Sequence, residues 1–316
     1  MRLLLTGASS FTGFWFVHAL AARDGDIIAT TERALDDYDE MRRGRVQRLA
    51  SFVHVASSAP FGSDAFLARI REAKPLDLCC LHGAMTTAHR EDGFDPLAAV
   101  AANCANLKRV FDALEVAGCH RILHTGSVFE ADEGIGEEPV RAFSPYGIAK
   151  TMTWQWVRYE AERRGFSLGK FVIPHPFGAG EKSGLTTYLV DQWRRGLIAE
   201  IKQPALIRDF VHVDHLAEAY ALMAVELMDL VGTHRLGPSG YVETVGEFVA
   251  RMAASFEARL DRRCRFALAR DGGPTSEPRT RHNTDPLISL APDWPIARSW
   301  DAYVAANRSD FMSDRF

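Results

Sequence analysis

Apolar and polar positions fall into two alternating kinds of block along the first half of the chain. Short apolar runs, "RLLL", "DIIATT", "FVHVA", "LDLCCLHGA", "CHRILHTGS" and "GKFVIPHPFG", are bounded by glycine, serine and charged residues. Between them lie longer stretches with apolar residues on a helical period, such as "FTGFWFVHALAAR", "DAFLARIREA" and "PLAAVAANCANLKRVFDALEVA". The short runs predict strands and the periodic stretches predict helices. Strands that are apolar throughout, and that alternate with helices, predict a parallel sheet covered on both faces.

This is the pattern of a Rossmann-type, doubly wound α/β core. It spans residues 1–175, and 211–235 return to it through "RDFVHVDHLAEAYALMAVEL". After "HPFGAGEKSG" the order loosens into a helix-like "LTTYLVDQWRRGL", a strand pair and Gly/Pro-rich loops. Residues 176–316, apart from that return, are expected to form a smaller substrate-binding lobe.

Charge and cysteine content narrow the function. With 37 basic and 41 acidic side chains in 316 residues, the net charge of −4 supplies no general field for nucleic acid or an anionic membrane. The five cysteines show neither CxxC pairing nor metal-ligand spacing, and the odd count suits reduced thiols. The apolar run of "MRLLLTGASS" breaks at a glycine turn too early for a signal peptide, and no window approaches a membrane span, so a cytoplasmic protein without a metal is expected.

In "TGASSFTG", Gly7 and Gly13 bracket a turn between the first strand and the first helix. Backbone amides of Ser9, Ser10, Phe11 and Thr12, at the positive end of the helix dipole, are placed to hold a pyrophosphate. At the end of the second strand "ATTERA" offers two choices. Thr31 and Arg33 suit the 2′-phosphate of NADP(H), whereas Glu32 suits the ribose hydroxyls of NAD(H). The nearby "MRRGR" tips the expectation toward NADP(H), with NAD(H) as the alternative.

In "SPYGIAK", Tyr146 and Lys150 stand one helical turn apart and project from one face. A nearby ammonium favours phenolate over phenol, which would tune Tyr146 for proton transfer near neutral pH. In this context the chain resembles the extended short-chain dehydrogenase/reductase family, whose members are nucleotide-sugar epimerases, dehydratases and reductases. The resemblance rests on "TGASSFTG", "LCCLHGA" with Gly83 and Ala84 beside the cofactor, Asn103 in "AANCANLKRVFDAL", "HTGSVFE", "SPYGIAK", "PHPFG" and "RDFVHVDHLAEA".

The resemblance implies roles for these positions. Tyr146 is the general acid/base, Lys150 tunes it and binds the cofactor ribose, and Asn103 supports the proton relay. The hydroxyl three residues before Val128-Phe129 is Thr125, expected to bond the sugar oxygen, with Ser127 as the nearest substitute. Arg208 is expected to hold the sugar-nucleotide diphosphate, whereas Asp209, His212 and Asp214 are read as a strand-to-helix junction with Asp214 as cap.

Three positions depart from the family pattern. Ser10 replaces the middle glycine of the loop. His175 stands where many relatives place an asparagine on the substrate phosphate; the imidazole either donates to phosphate or packs in its loop. "TGSVF" lacks the carboxyl groups that 4,6-dehydratases place after the threonine, which disfavours dehydration; Glu130, beyond the Val-Phe pair, is expected to point elsewhere.

The expected activity is hydride transfer at C4 of a nucleotide sugar, as a 4-ketoreductase using NADPH or, alternatively, a 4-epimerase with bound NAD. A non-catalytic dinucleotide sensor would have no need of the phenol. Aromatic surplus on the long helices, including Trp154, Trp156 and Tyr159, together with the family's dimer contact, predicts a homodimer.

Overall fold

The sequence from Arg2 to Leu236 supplies seven parallel strands: β1 (Arg2–Leu5), β2 (Asp26–Thr30), β3 (His54–Ala56), β4 (Leu78–Leu81), β5 (Arg121–Ser127), β6 (Ser167–Ile173) and β7 (Thr233–Leu236). They pair in the order β7-β6-β5-β4-β1-β2-β3. The order reverses between β1 and β4, where Leu5 lies opposite Cys80. That reversal opens a crevice at the carboxyl ends of the strands, the usual ligand position in an open α/β sheet. The computed structural model describes residues 1–86, 93–270, 273 and 275–312.

The chain divides into two compact units. The first comprises Met1–Glu133, Arg141–Ile173 and Ala217–Gly237, and holds the seven-stranded sheet. Leu4, Cys79, Ile122 and Leu168 face a buried cluster from α3 (Asp64–Glu72), α5 (Leu107–Val116) and α6 (Pro145–Arg163), which includes Phe66, Phe111 and Trp154. Phe16 of α1 (Phe11–Ala21) stacks on Tyr220 at 3.9 Å, and both meet Phe171 edge-on. With helices on both faces, β1, β4 and β5 need no polar alternation, and their apolar runs follow from this.

The second unit comprises Gly134–Val140, Pro174–Leu216 and Pro238–Phe316. Its three-stranded sheet pairs Tyr241–Thr244 antiparallel with Ile207–His212, which runs parallel to His175–Phe177. Phe210 stacks on Phe248 at 3.7 Å within a core that includes Phe177, Trp193, Phe256 and Trp300. The excursion 134–140 joins this unit because Ile135–Gly136 pairs with Arg281–His282, a long-range pairing without a local sequence signal.

Among the described residues no helix is long and apolar enough to cross a membrane. No group of three His, Cys, Asp or Glu among them could hold a metal. All five cysteines are free, and Cys79, Cys80, Cys119 and Cys264 are buried.

Candidate active site

The glycine loop is shaped by close backbone approach. Gly7 has φ +74°, and a Cβ there would lie 2.6 Å from the Gly83 Cα, so the loops after β1 and β4 touch only because both positions lack side chains. A Cβ on Gly13 would lie 2.3 Å from the Gly7 carbonyl. Ser10, at the middle position of the loop, caps α1 by accepting from the Gly13 N–H at 3.0 Å. Thr6 Oγ1 accepts from the N–H groups of His82 at 3.0 Å and Gly83 at 2.8 Å, which pins the loop carrying Gly83 and Ala84. Strand, glycine turn and helix N-terminus thus meet beside the β1/β4 reversal, an arrangement that fits a dinucleotide pyrophosphate.

At the end of β2, Thr31 is buried and its hydroxyl bonds the Arg33 carbonyl at 3.1 Å, whereas Glu32 and Arg33 are exposed. Within "MRRGR", on α2 (Glu40–Leu49), it is Arg45 that reaches the glycine loop, donating to the Ser9 carbonyl at 3.1 Å. Burial pulls its guanidinium down to about 10.

The acid/base pair sits on the first turns of α6. Ser144 caps the helix by accepting from the Gly147 N–H, and Pro145 fills the first turn, where its missing N–H costs nothing. Gly147 is needed for contact: a Cβ there would lie 2.2 Å from the Phe129 carbonyl. The Tyr146 ring therefore lies against the turn after β5, edge-on to Phe129 and Phe94 at 6.3 and 6.4 Å. Its phenol is hydrogen-bonded to Ser127.

Burial pushes the Tyr146 phenol above its ordinary value, and the charge of Glu130 adds to this. Lys150 is 4 % exposed and donates to the Thr125 carbonyl. Its pKa is lowered by burial first, against an opposing pull from Glu130. The down-shift expected for the phenol beside Lys150 is therefore not what the structure shows; desolvation of both partners dominates.

Thr125 and Ser127 make different contacts. The Thr125 hydroxyl lies 3.2 Å from His82 Nδ1, and His82 Nε2 lies 3.0 Å from Ser10 Oγ and 3.1 Å from Thr12 Oγ1. Burial, then Lys150, drives this imidazole down to about 3, so at neutral pH it is uncharged and has one donor and one acceptor nitrogen. His82 thereby ties the glycine loop to the end of β5, a link the sequence analysis missed although the residue lies within "LCCLHGA". Asn103, at the end of α4 (Pro96–Asn103), accepts from the Met85 N–H at 2.8 Å and donates to Thr153 Oγ1 at 3.3 Å, joining the loop after β4 to α6.

Glu130 turns toward β6. It is fully buried, and its carboxylate accepts from the Ser127 N–H at 2.7 Å and from Lys170 at 2.6 Å.

In the second unit, buried Arg208 pairs with Glu277 at 2.7 Å and donates to the Ile207 and Arg279 carbonyls. Half-buried His175 lies 5.8 Å from the Phe210 ring. Asp209 accepts from the Gly240 and Asn283 N–H groups, and burial pushes its carboxyl up to about 6. Asp214 bonds the His215 N–H and the Ser299 hydroxyl in the first turn of the helix Val213–Glu226. Both aspartates thus hold the local backbone.

Residues 3–234 match the model of the NAD dependent epimerase/dehydratase family. A UDP-glucose 4-epimerase of Azospirillum brasilense is 26% identical over 249 residues, covering 72% of this chain and 69% of that protein. Among solved structures, a UDP-glucose 4-epimerase of Stenotrophomonas maltophila, with bound NAD and formylated UDP-arabinopyranose, has a TM-score of 0.72 at 17% identity, covering 98% of each chain. A UDP-glucuronic acid 4-epimerase of Bacillus cereus, in complex with UDP-glucuronic acid and NAD, has a TM-score of 0.72 at 15% identity, covering 98% of this chain and 99% of that one.

Proposed function

The chain belongs to the NAD dependent epimerase/dehydratase family, and from that premise we propose that it is a nucleotide-sugar 4-epimerase acting on a UDP-sugar with bound NAD. The observation that carries this reading is a half-buried tyrosine whose phenol is hydrogen-bonded to a serine hydroxyl, one turn before a buried lysine, in the unit that holds the glycine loop. The UDP-sugar 4-epimerases among the relatives support epimerisation over the ketoreduction that the sequence favoured.

A nicotinamide held beside this site would supply reversible hydride transfer at sugar C4. Tyr146 takes the proton of the C4 hydroxyl and gives it back after the sugar has presented its other face. Ser127, already bonded to the phenol, takes the hydroxyl role that residue spacing gave to Thr125: it holds the sugar oxygen in the line of proton transfer. Thr125 acts beside it by fixing His82 through its hydroxyl and Lys150 through its carbonyl. Lys150 supplies the positive charge that favours phenolate once it leaves that carbonyl for the cofactor ribose. Asn103 supports the relay by holding the loop after β4 to α6. Arg208 holds the diphosphate, which takes over from Glu277, and His175 donates to phosphate. Gly7, Ser9, Ser10, Phe11, Thr12, Gly13, Gly83 and Ala84 line the dinucleotide, and exposed Glu32 bonds its ribose hydroxyls.

One observation favours a second reading. Arg45 at the Ser9 carbonyl, with Arg33 exposed beside Thr31, offers cations for a 2′-phosphate and hence for an NADPH-dependent 4-ketoreductase. The two are separated by incubating the protein with UDP-sugars and their 4-keto derivatives, following nicotinamide absorbance and the sugars by chromatography. Interconversion without net nicotinamide change is the expected result. Stoichiometric NADPH loss with a 4-keto substrate would establish the reductase.

The enzyme is proposed to work as a cytoplasmic homodimer. Ile148, Met152, Trp156 and Tyr159 form an exposed stripe along α6, and Leu97 of α4 is exposed as well. Such a stripe on two adjoining helices suits a second copy of the same face.

A further inference from the structure

The turn after β5 rests on three buried charges, Glu130, Lys170 and Glu133, joined by the exposed Arg235, that the proposed proton transfer does not use. Lys170 of β6 donates to Glu130 at 2.6 Å and to Glu133 at 2.7 Å, and Arg235 donates to the other Glu133 oxygen at 2.7 Å. Glu130, Lys170 and Glu133 are 0, 2 and 5 % exposed. The Lys170 ammonium also lies 4.6 Å from the centre of the Trp154 ring, so its position is fixed from two sides. The strand makes room for this cluster at Gly126, where a Cβ would lie 2.7 Å from Lys170 Cε and 3.1 Å from Glu130 Oε1. The remaining Glu130 oxygen accepts the Ser127 N–H at 2.7 Å.

We propose that Glu130 is a positioning residue for the acid/base site: clamped by Lys170 and Glu133, its carboxylate fixes the Ser127 peptide so that the serine hydroxyl meets the Tyr146 phenol. This deepens the reading of Tyr146 as acid/base and rests on it. A purely structural ion cluster would hold the turn and leave the phenol's proton affinity alone. Glu130 does more, because its charge raises the proton affinity of both Tyr146 and Lys150. The titratable groups that face the pair are Glu130 from the turn after β5, Lys170 from β6 and, around Lys150, His82 after β4, Cys104 after α4 and His124 of β5, with Ser127 as the neutral partner.

The test is Glu130→Gln, which keeps an acceptor for the Ser127 N–H and removes the charge. The expected result is a kcat–pH profile whose phenol-controlled limb moves to lower pH by about half a unit or more, with KM for the nucleotide sugar changed less than about twofold. Glu130→Ala, which also removes the acceptor, is expected to lower kcat by about tenfold at similar KM. An unshifted profile with wild-type kcat in both variants overturns the proposal. Should Glu130→Gln fail to fold, Glu130→Gln/Lys170→Met removes both charges and leaves Glu133 with Arg235; a wild-type profile there overturns it equally. A second readout needs no turnover: the ¹³Cζ resonance of Tyr146, assigned by its loss in Tyr146→Phe, should move toward phenolate at lower pH in Glu130→Gln than in the wild type. The same pH dependence in both proteins overturns the proposal. Absence of turnover with every nucleotide sugar overturns the proposed enzymatic function instead.

Discussion

The Tyr146 phenol is hydrogen-bonded to Ser127, while the Thr125 hydroxyl, two residues earlier on the same strand, is bonded to His82. The two hydroxyls should therefore respond differently to removal. Tyr146→Phe is expected to lower kcat by about 10²–10⁴ with the fold intact, the range for loss of a positioned acid/base. Ser127→Ala should cost about 10–10² in kcat, and Thr125→Val less than Ser127→Ala. Steady-state kinetics with a UDP-sugar checks the order; a larger loss at Thr125 than at Ser127 would return the hydroxyl role to Thr125.

Counting along the chain could not have separated these residues. Thr125 and Ser127 share one face of a strand by its period of two, and only the turn that follows Ser127 parts them. Its geometry depends on Glu130, whose partner Lys170 lies 40 positions further on. A lysine in the otherwise apolar run "GKFVI" was the available sign of a buried charge pair. By contrast, the sheet and the Tyr146/Lys150 pair were legible because they rest on local periodicity: apolar runs for strands buried on both faces, and a spacing of four on a helix. His82 carried no such pattern; a single histidine after a strand acquires meaning only when Ser10, Thr12 and Thr125 converge on it.

Gly147 sets how closely Tyr146 approaches the end of β5. A methyl group there would meet the Phe129 carbonyl at 2.2 Å, so Gly147→Ala must displace the first turn of α6. Overpacking of this kind costs about 1–3 kcal/mol. Urea unfolding should report that loss, and kcat should fall more than KM rises because the phenol shifts away from Ser127. A variant with wild-type stability would show that the turn yields freely.

Acidification should weaken the fold. His82 and His212 are held down to about 3 and His215 to about 4, mainly by burial, against an ordinary imidazole value of 6.5. Between those values the unfolded chain binds protons that the folded chain refuses, so stability is full above about 6.5 and falls as pH drops toward 4. Asp209, pushed up to about 6 from an ordinary 3.8, acts in the opposite sense, since the folded state then holds the extra proton. Burial also holds His124 well below its ordinary value and pushes Asp214 up; four imidazoles outweigh two carboxyls, and the urea midpoint should drop between about pH 7 and pH 5. His82→Gln should flatten that slope; an unchanged slope would mean that the imidazole is not buried neutral.

The exposed stripe on α6 gives the last prediction. Trp156 and Tyr159 are 53 and 56 % exposed and lie edge-on to each other at 6.2 Å, with Ile148 and Met152 on the turns before them. Large aromatic side chains left in water are unfavourable, and burying them against a second copy removes that apolar area from solvent on both subunits at once. Trp156→Glu/Tyr159→Lys adds charges of both signs, so the protein's net charge is unchanged and any loss of association comes from the interface. Sedimentation velocity at micromolar concentration should show a dimer for the wild type and a monomer for the double variant. The α6 face opposite this stripe carries Trp154 and Val157 into the sheet core, so the monomer should retain its fold. A wild-type protein that sediments as a monomer would leave the stripe without a self-partner.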